Sequence, residues 1–85
     1  MPLSDRDLTL LRFESRWSGT ATPGAKEEAV RTELGLTPAR YYQLLGRLID
    51  TTAAQEHDPM LAGRLRRIRD AREHARLARS AGAPR

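Results

Sequence analysis

A small all-α domain of about four helices is what this 85-residue chain predicts, and three features predict it. Apolar residues recur three and four positions apart, the spacing that lines one face of a helix. Ser4, Thr22, Thr37 and Asp58 each stand where a helix needs a capping oxygen, three of them directly before a proline. No stretch alternates apolar and polar residues with the period of a strand, and no segment repeats another.

Helix 1 starts at Ser4, which with Asp7 resembles a capping box with Asp in place of Glu. It runs through DRDLTLLRFESRW, its inward face carrying Leu10, Phe13 and Trp17 with Leu11 beside them. Ser18-Gly19 should end it, and a loop leads to Thr22, which caps helix 2 ahead of Pro23. Glu27 and Glu28 suit the positive end of that helix. Residues 26–48 then read as two helices joined at Leu34-Gly35-Leu36-Thr37. Gly35 falls where the chain must take a positive φ, Thr37 caps the next helix, and Pro38 opens it without losing a hydrogen bond. Val30 and Leu34 supply one packing face; Tyr41, Leu44, Leu45 and Leu48 supply the other. Helix 3 should span about Pro38–Thr52. The segment TTAAQEHDP breaks the pattern before Asp58 and Pro59 start helix 4, whose apolar stripe of Leu61, Leu65 and Ile68 fades in its second half. One domain is expected over 1–79, with the two-helix motif at about 26–48, a basic helix at about 59–79, and a frayed tail at 80–85.

A helix, a glycine turn and a second Thr-capped helix resemble the helix-turn-helix of bacterial DNA-binding proteins. That pattern wants a small residue three before Leu34, where Arg31 stands. Either Arg31 snorkels out of the crossing or the register shifts so that Ala29 makes the close contact. The competing architecture is a plain helical bundle that uses Gly35 only to turn.

Composition narrows the functional classes. There is no Cys, so no disulfide, thiolate metal site or cysteine nucleophile. No apolar run approaches the ~20 residues of a membrane span, no signal peptide is visible, and a cytoplasmic protein is expected. Fourteen Arg to one Lys, with no Asn, suggest a GC-rich bacterial genome. Charge is uneven: residues 1–58 hold seven basic side chains against nine acidic, net −2, while residues 59–85 hold eight Arg against two acids, net +6. A basic helix behind a near-neutral body points to a polyanion partner.

Double-stranded DNA is the expected polyanion, with helix 3 in the major groove. Away from its packing face, helix 3 offers Thr37, Pro38, Ala39, Arg40, Tyr42, Gln43 and Arg47. Gln43 suits adenine, Arg40 and Arg47 suit guanine or phosphate, the methyls of Ala39 and Thr37 suit thymine, and the Tyr42 hydroxyl suits a phosphate. On helix 4, Arg64, Arg66, Arg67 and Arg69 suit phosphates or the minor groove. The bland alternative is a solvated face with incidental Arg, balanced by pairs such as Arg66–Asp70 and Arg69–Glu73. A homodimer on a short palindromic site is expected through the Leu61/Leu65/Ile68 stripe or residues near Leu8 and Leu11. A monomer whose stripe closes the core competes with it.

Catalysis finds no support. His57 and His74 lack a carboxylate or nucleophile at a useful spacing, no Gly-rich phosphate loop occurs, and no metal, cofactor or small-molecule site is expected. Two stretches, FESRWSGTATPGAKEEAVRTELGLTPARYYQLLGRLID and HDPMLAGRLRRIRDAR, resemble an actinobacterial family of very short helix-turn-helix proteins. The resemblance implies a nucleoid-associated DNA-binding protein acting on chromosome architecture and transcription. A protein–protein adaptor of the transcription machinery and a structured-RNA binder are the rivals.

Overall fold

The computed structural model describes residues 2–17 and 22–81, and among these it is all-α, with five helices and no strand. The expected end of helix 1 at Ser18-Gly19, the loop to Thr22 and tail residues 82–85 lie outside the described residues. Helix α1 (Asp5–Trp17) begins on the reciprocal box: Asp7 N–H donates to Ser4 Oγ at 3.1 Å and Ser4 N–H to Asp7 Oδ2 at 3.1 Å. Helix α2 (Pro23–Ala29) starts behind Thr22, whose hydroxyl accepts from Ala25 N–H at 3.4 Å. It runs on into a π-helical stretch, Val30–Leu34, closed by Gly35 at φ 67°. Helix α3 (Pro38–Leu48) follows its Thr37 cap, and helix α5 (Pro59–Ala81) follows Asp58, whose carboxylate accepts from Leu61 N–H at 3.1 Å.

Two boundaries differ from the sequence reading. Helix α3 ends at Leu48 instead of about Thr52, and much of TTAAQEHDP is itself a helix, α4 (Thr52–His57). One hydroxyl explains both. Thr51 Oγ1 donates to Leu48 O at 2.8 Å, closing α3, and accepts from Ala54 N–H at 3.1 Å, opening α4. The basic helix also continues past residue 79 to Ala81.

The π-helical stretch settles the Arg31 question. Its wider turn, with Gly35 N–H reaching back to Val30 O as well as to Arg31 O, rotates the helix end relative to a continuous α-helix. Ala29 and Val30 are both buried, while Arg31 stands outside, 3.8 Å from Glu28.

The core gathers Leu10, Leu11 and Phe13 of α1, Tyr41, Leu45 and Leu48 of α3 with adjoining Ile49, and Leu61, Ala62 and Leu65 of α5, with Val30 between them. Phe13 meets Tyr41 edge-on at 5.4 Å and Trp17 in a stack at 5.9 Å. Trp17, Leu34 and Leu44 are only half-buried, and Ile68 is exposed. The stripe on α5 therefore closes the monomer core through Leu61 and Leu65 alone. Leu11 is also buried and Leu8 half-buried, so of the residues expected to pair two copies Ile68 is the one left exposed. From Asp70 to Ser80 every residue of α5 is exposed. The helix, ~34 Å long at 1.5 Å per residue, overhangs the body. This explains a radius of gyration of 14.4 Å, against ~12 Å for a compact chain of this length.

Candidate nucleic-acid interface

Helix α3 has one buried and one open side, and each is fixed by identifiable contacts. Thr37 Oγ1 accepts from Arg40 N–H at 3.1 Å, so the first turn is held at its cap. Tyr41, Leu45 and Leu48 pin the inner side. The outer side presents Thr37, Ala39, Arg40, Gln43 and Arg47, all exposed, with Pro38 half-buried. Arg40 Nη1 donates to Gln43 Oε1 at 2.6 Å, joining two of the expected base-reading side chains in one unit. The adjacent tyrosines divide as their 100° separation requires: Tyr41 is fully buried and Tyr42 is 41% exposed, their rings meeting edge-on at 5.0 Å.

Behind α3 lies a polar cluster that sequence reasoning did not single out. Glu14, on the inner face of α1, is 4% exposed. Tyr41 Oη donates to its carboxylate, and Lys26 Nζ sits 2.8 Å from Oε1 and 2.9 Å from Oε2. Burial, then the Glu14 hydrogen bond and charge, push the Tyr41 phenol far up. Lys26 also lies 5.5 Å from the centroid of the Tyr42 ring and 5.8 Å from that of Tyr41. The signal was present: Glu14 stands four after Leu10, in register with the apolar face, and Lys26 is the single lysine.

The arginines of α5 split into two groups. Arg66 Nε lies 3.4 Å from Asp50 Oδ1, and Arg69 Nη1 lies 2.8 Å from Oδ2 and donates to Gly46 O at 3.3 Å. These two therefore clamp the end of α3 against α5. The Arg69 hydrogen bond, with the charges of Arg69 and Arg66, holds the Asp50 carboxyl below the usual range. Neither expected pair within the helix forms: Arg66 turns to Asp50 instead of Asp70, and Glu73 pairs with Arg76 instead of Arg69. A partner from another element wins because α3 ends beside α5, which no spacing within α5 encodes. Arg69 does reach its neighbour Asp70, at 3.2 Å. Arg64 and Arg67 are exposed, and among the described residues no acidic side chain pairs with Arg47, Arg67 or Arg72.

The family described as Protein of unknown function (DUF3263) matches residues 2–77. The chain belongs to this family. No curated protein and no solved structure matches it. Among the described residues of this DUF3263 chain, no group of three or more His, Cys, Asp and Glu is placed to hold a metal ion. No described helix is long and apolar enough to cross a membrane.

Proposed function

We propose that this DUF3263 protein binds double-stranded DNA, with α3 in the major groove and arginines of α5 on the backbone or in the minor groove. The observation that carries the reading is the outer face of α3. A Thr-capped helix, locked from behind by Tyr41, Leu45 and Leu48, presents Ala39, Arg40, Gln43 and Arg47 together to solvent. Such residues on a rigid helix match the donor and acceptor pattern of base edges. The glycine turn before it and the net charge of +4 favour the same partner. Within this reading Arg66 and Arg69 act first as positioning residues through Asp50. Arg47, Arg67 and Arg72, which face no acid, are then the first phosphate contacts. The cellular role that fits is a nucleoid-associated protein in the cytoplasm, of the very short helix-turn-helix kind, acting on chromosome architecture and transcription.

The test is a selection of bound duplexes from a random pool, followed by titration of the winner. Gln43→Ala or Arg47→Ala should weaken the preferred site by ~1–3 kcal/mol and random duplex less. Equal weakening on all sequences would mean that α3 does not read bases. Sedimentation of the complex on a single-site duplex tests the homodimer, and a 1:1 complex with full preference refutes it. The adaptor reading is favoured by one observation, the exposure of Ile68 and Leu77 on the overhang of α5. Competition by duplex, structured RNA and heparin separates the nucleic-acid partners.

A further inference from the structure

We propose that the cleft beneath the overhang of α5 is a binding site for an amphipathic carboxylate, an apolar body carrying one anionic head. The cleft encloses about 520 Å³, within the range of small-molecule sites. Tyr42, Leu45 and Ile49 form its floor, Trp17 stands at one wall, and Ile68, Arg72 and Arg76 stand at the other. The wall is a continuation of the core face: residues 61, 65, 68, 72 and 76 recur on one side of α5, and Arg79 lies beyond the cleft. Leu61 and Leu65 on that side are buried at 4% and 9%, whereas Ile68 is 43% exposed and Trp17 half-buried. An apolar strip thus runs out of the core into an open recess.

The charges around the recess select the occupant. Lys26 is matched by Glu14, Arg69 by Asp50, and Arg76 by Glu73. Arg72, one turn beyond Ile68, has no acidic partner among the described residues. A planar guanidinium left over beside an apolar floor fits a single carboxylate, which it grips through two parallel hydrogen bonds. A cationic or neutral amphiphile satisfies the floor and leaves Arg72 as it was. The cleft shares Arg72 and Tyr42 with the residues offered to phosphates, but Ala39, Arg40, Gln43 and Arg47 do not line it. Carboxylate binding is therefore measured without DNA and stands or falls apart from base readout.

Trp17 is the single tryptophan, so its emission under selective excitation reports the cleft alone. The full chain is titrated with decanoate below its micelle concentration, with 4-phenylbutyrate as the aromatic counterpart, and with decanol and decyltrimethylammonium as controls. The expected result is a saturable Trp17 response to a carboxylate, the tighter of the two naming the body. Arg72→Gln should weaken it at least about tenfold, the worth of one charge-assisted pair. Ile68→Asp should abolish it, and Arg79→Gln should leave it unchanged. Positions 68, 72 and 79 are exposed on α5, and far-ultraviolet circular dichroism checks that each variant keeps the wild-type fold. Equal responses to the cationic amphiphile, no saturable response, or no effect of Arg72→Gln would overturn the proposal. So would Trp17 emission that shifts with protein concentration before any ligand is added, because a second copy would then fill the cleft.

Discussion

Replacing Lys26 by Met should destabilise the protein far more than a change at an ordinary lysine. Lys26 Nζ lies 2.8 Å and 2.9 Å from the two oxygens of a carboxylate that is 4% exposed. With Lys26 gone, Glu14 keeps only the Tyr41 hydroxyl, and breaking a buried pair from one side costs ~3–5 kcal/mol. A chain of this length has ~4–13 kcal/mol in total. The variant should therefore lose about a quarter or more of its stability. In urea at 25 °C, with m of ~2 kcal/mol/M, the midpoint should fall by ~2 M. Glu14→Leu alone leaves Lys26 free to swing toward solvent and orphans the Tyr41 hydroxyl, which costs ~1–3 kcal/mol. The double variant has no buried charge left, so it should cost about as much as Glu14→Leu alone and far less than the two changes summed. A loss below ~1 kcal/mol in Lys26→Met would place the pair with solvent-screened surface ion pairs. Strict additivity would likewise refute the coupling. The cluster matters beyond stability, since Tyr41 is the residue through which α1 sets the orientation of α3.

Other outcomes follow from the same contacts. Burial and Glu14 raise the Tyr41 phenol above its ordinary value of 10.0. The folded state thus keeps a proton that the unfolded chain gives up, and stability present below pH 10 should fall above it by up to ~1.4 kcal/mol per pH unit. Tyr41→Phe should flatten that alkaline slope in urea titrations, and an unchanged slope would assign it elsewhere. Asp50→Ala should cost at most ~1 kcal/mol because the pair is exposed. That contribution is present above the unfolded carboxyl value and lost as pH falls through the lower folded one, so wild type and variant should converge in acid. If α5 meets phosphates, the same change frees Arg66 and Arg69, and the slope of log K against log salt should steepen by up to ~1.8. An unchanged slope would keep both arginines off the DNA. Gly35→Ala, forced to φ 67°, should cost ~1–2 kcal/mol and lower the melting temperature by several degrees. No change in melting would mean that the turn relaxes.

The legible parts of the fold were those encoded within four residues. Ser4 with Asp7, Thr37 with Arg40, Asp58 with Leu61 and the positive φ of Gly35 depend on neighbours in the chain, and each is found where the sequence put it. The outward set on α3 was legible for the same reason, because a 3.6-residue period with Tyr41, Leu45 and Leu48 inside leaves Ala39, Gln43 and Arg47 outside. Helix α4 was missed because Thr51 serves two helices with one hydroxyl, and TTAAQEHDP reads as a break when only apolar periodicity is followed. Glu14, Lys26 and Asp50 were missed because their partners lie 12 to 27 positions away.

The arginine count of α5 therefore overstates the charge that α5 can offer a partner. Arg66 and Arg69 share Asp50, and Arg76 is held by Glu73. These contacts are exposed and individually weak. A phosphate could displace them, but each displacement would release the clamp between α3 and α5 or the turn of α5 that Glu73 braces. Arg47, Arg67 and Arg72 carry no such linkage. Binding that uses them leaves the body rigid, whereas binding that uses Arg66 and Arg69 must loosen α5 from Asp50. Hydrogen exchange of the amides around Asp50 distinguishes the two modes. Unchanged protection on binding DNA would assign contact to the unlinked arginines, and increased exchange would assign it to the clamp.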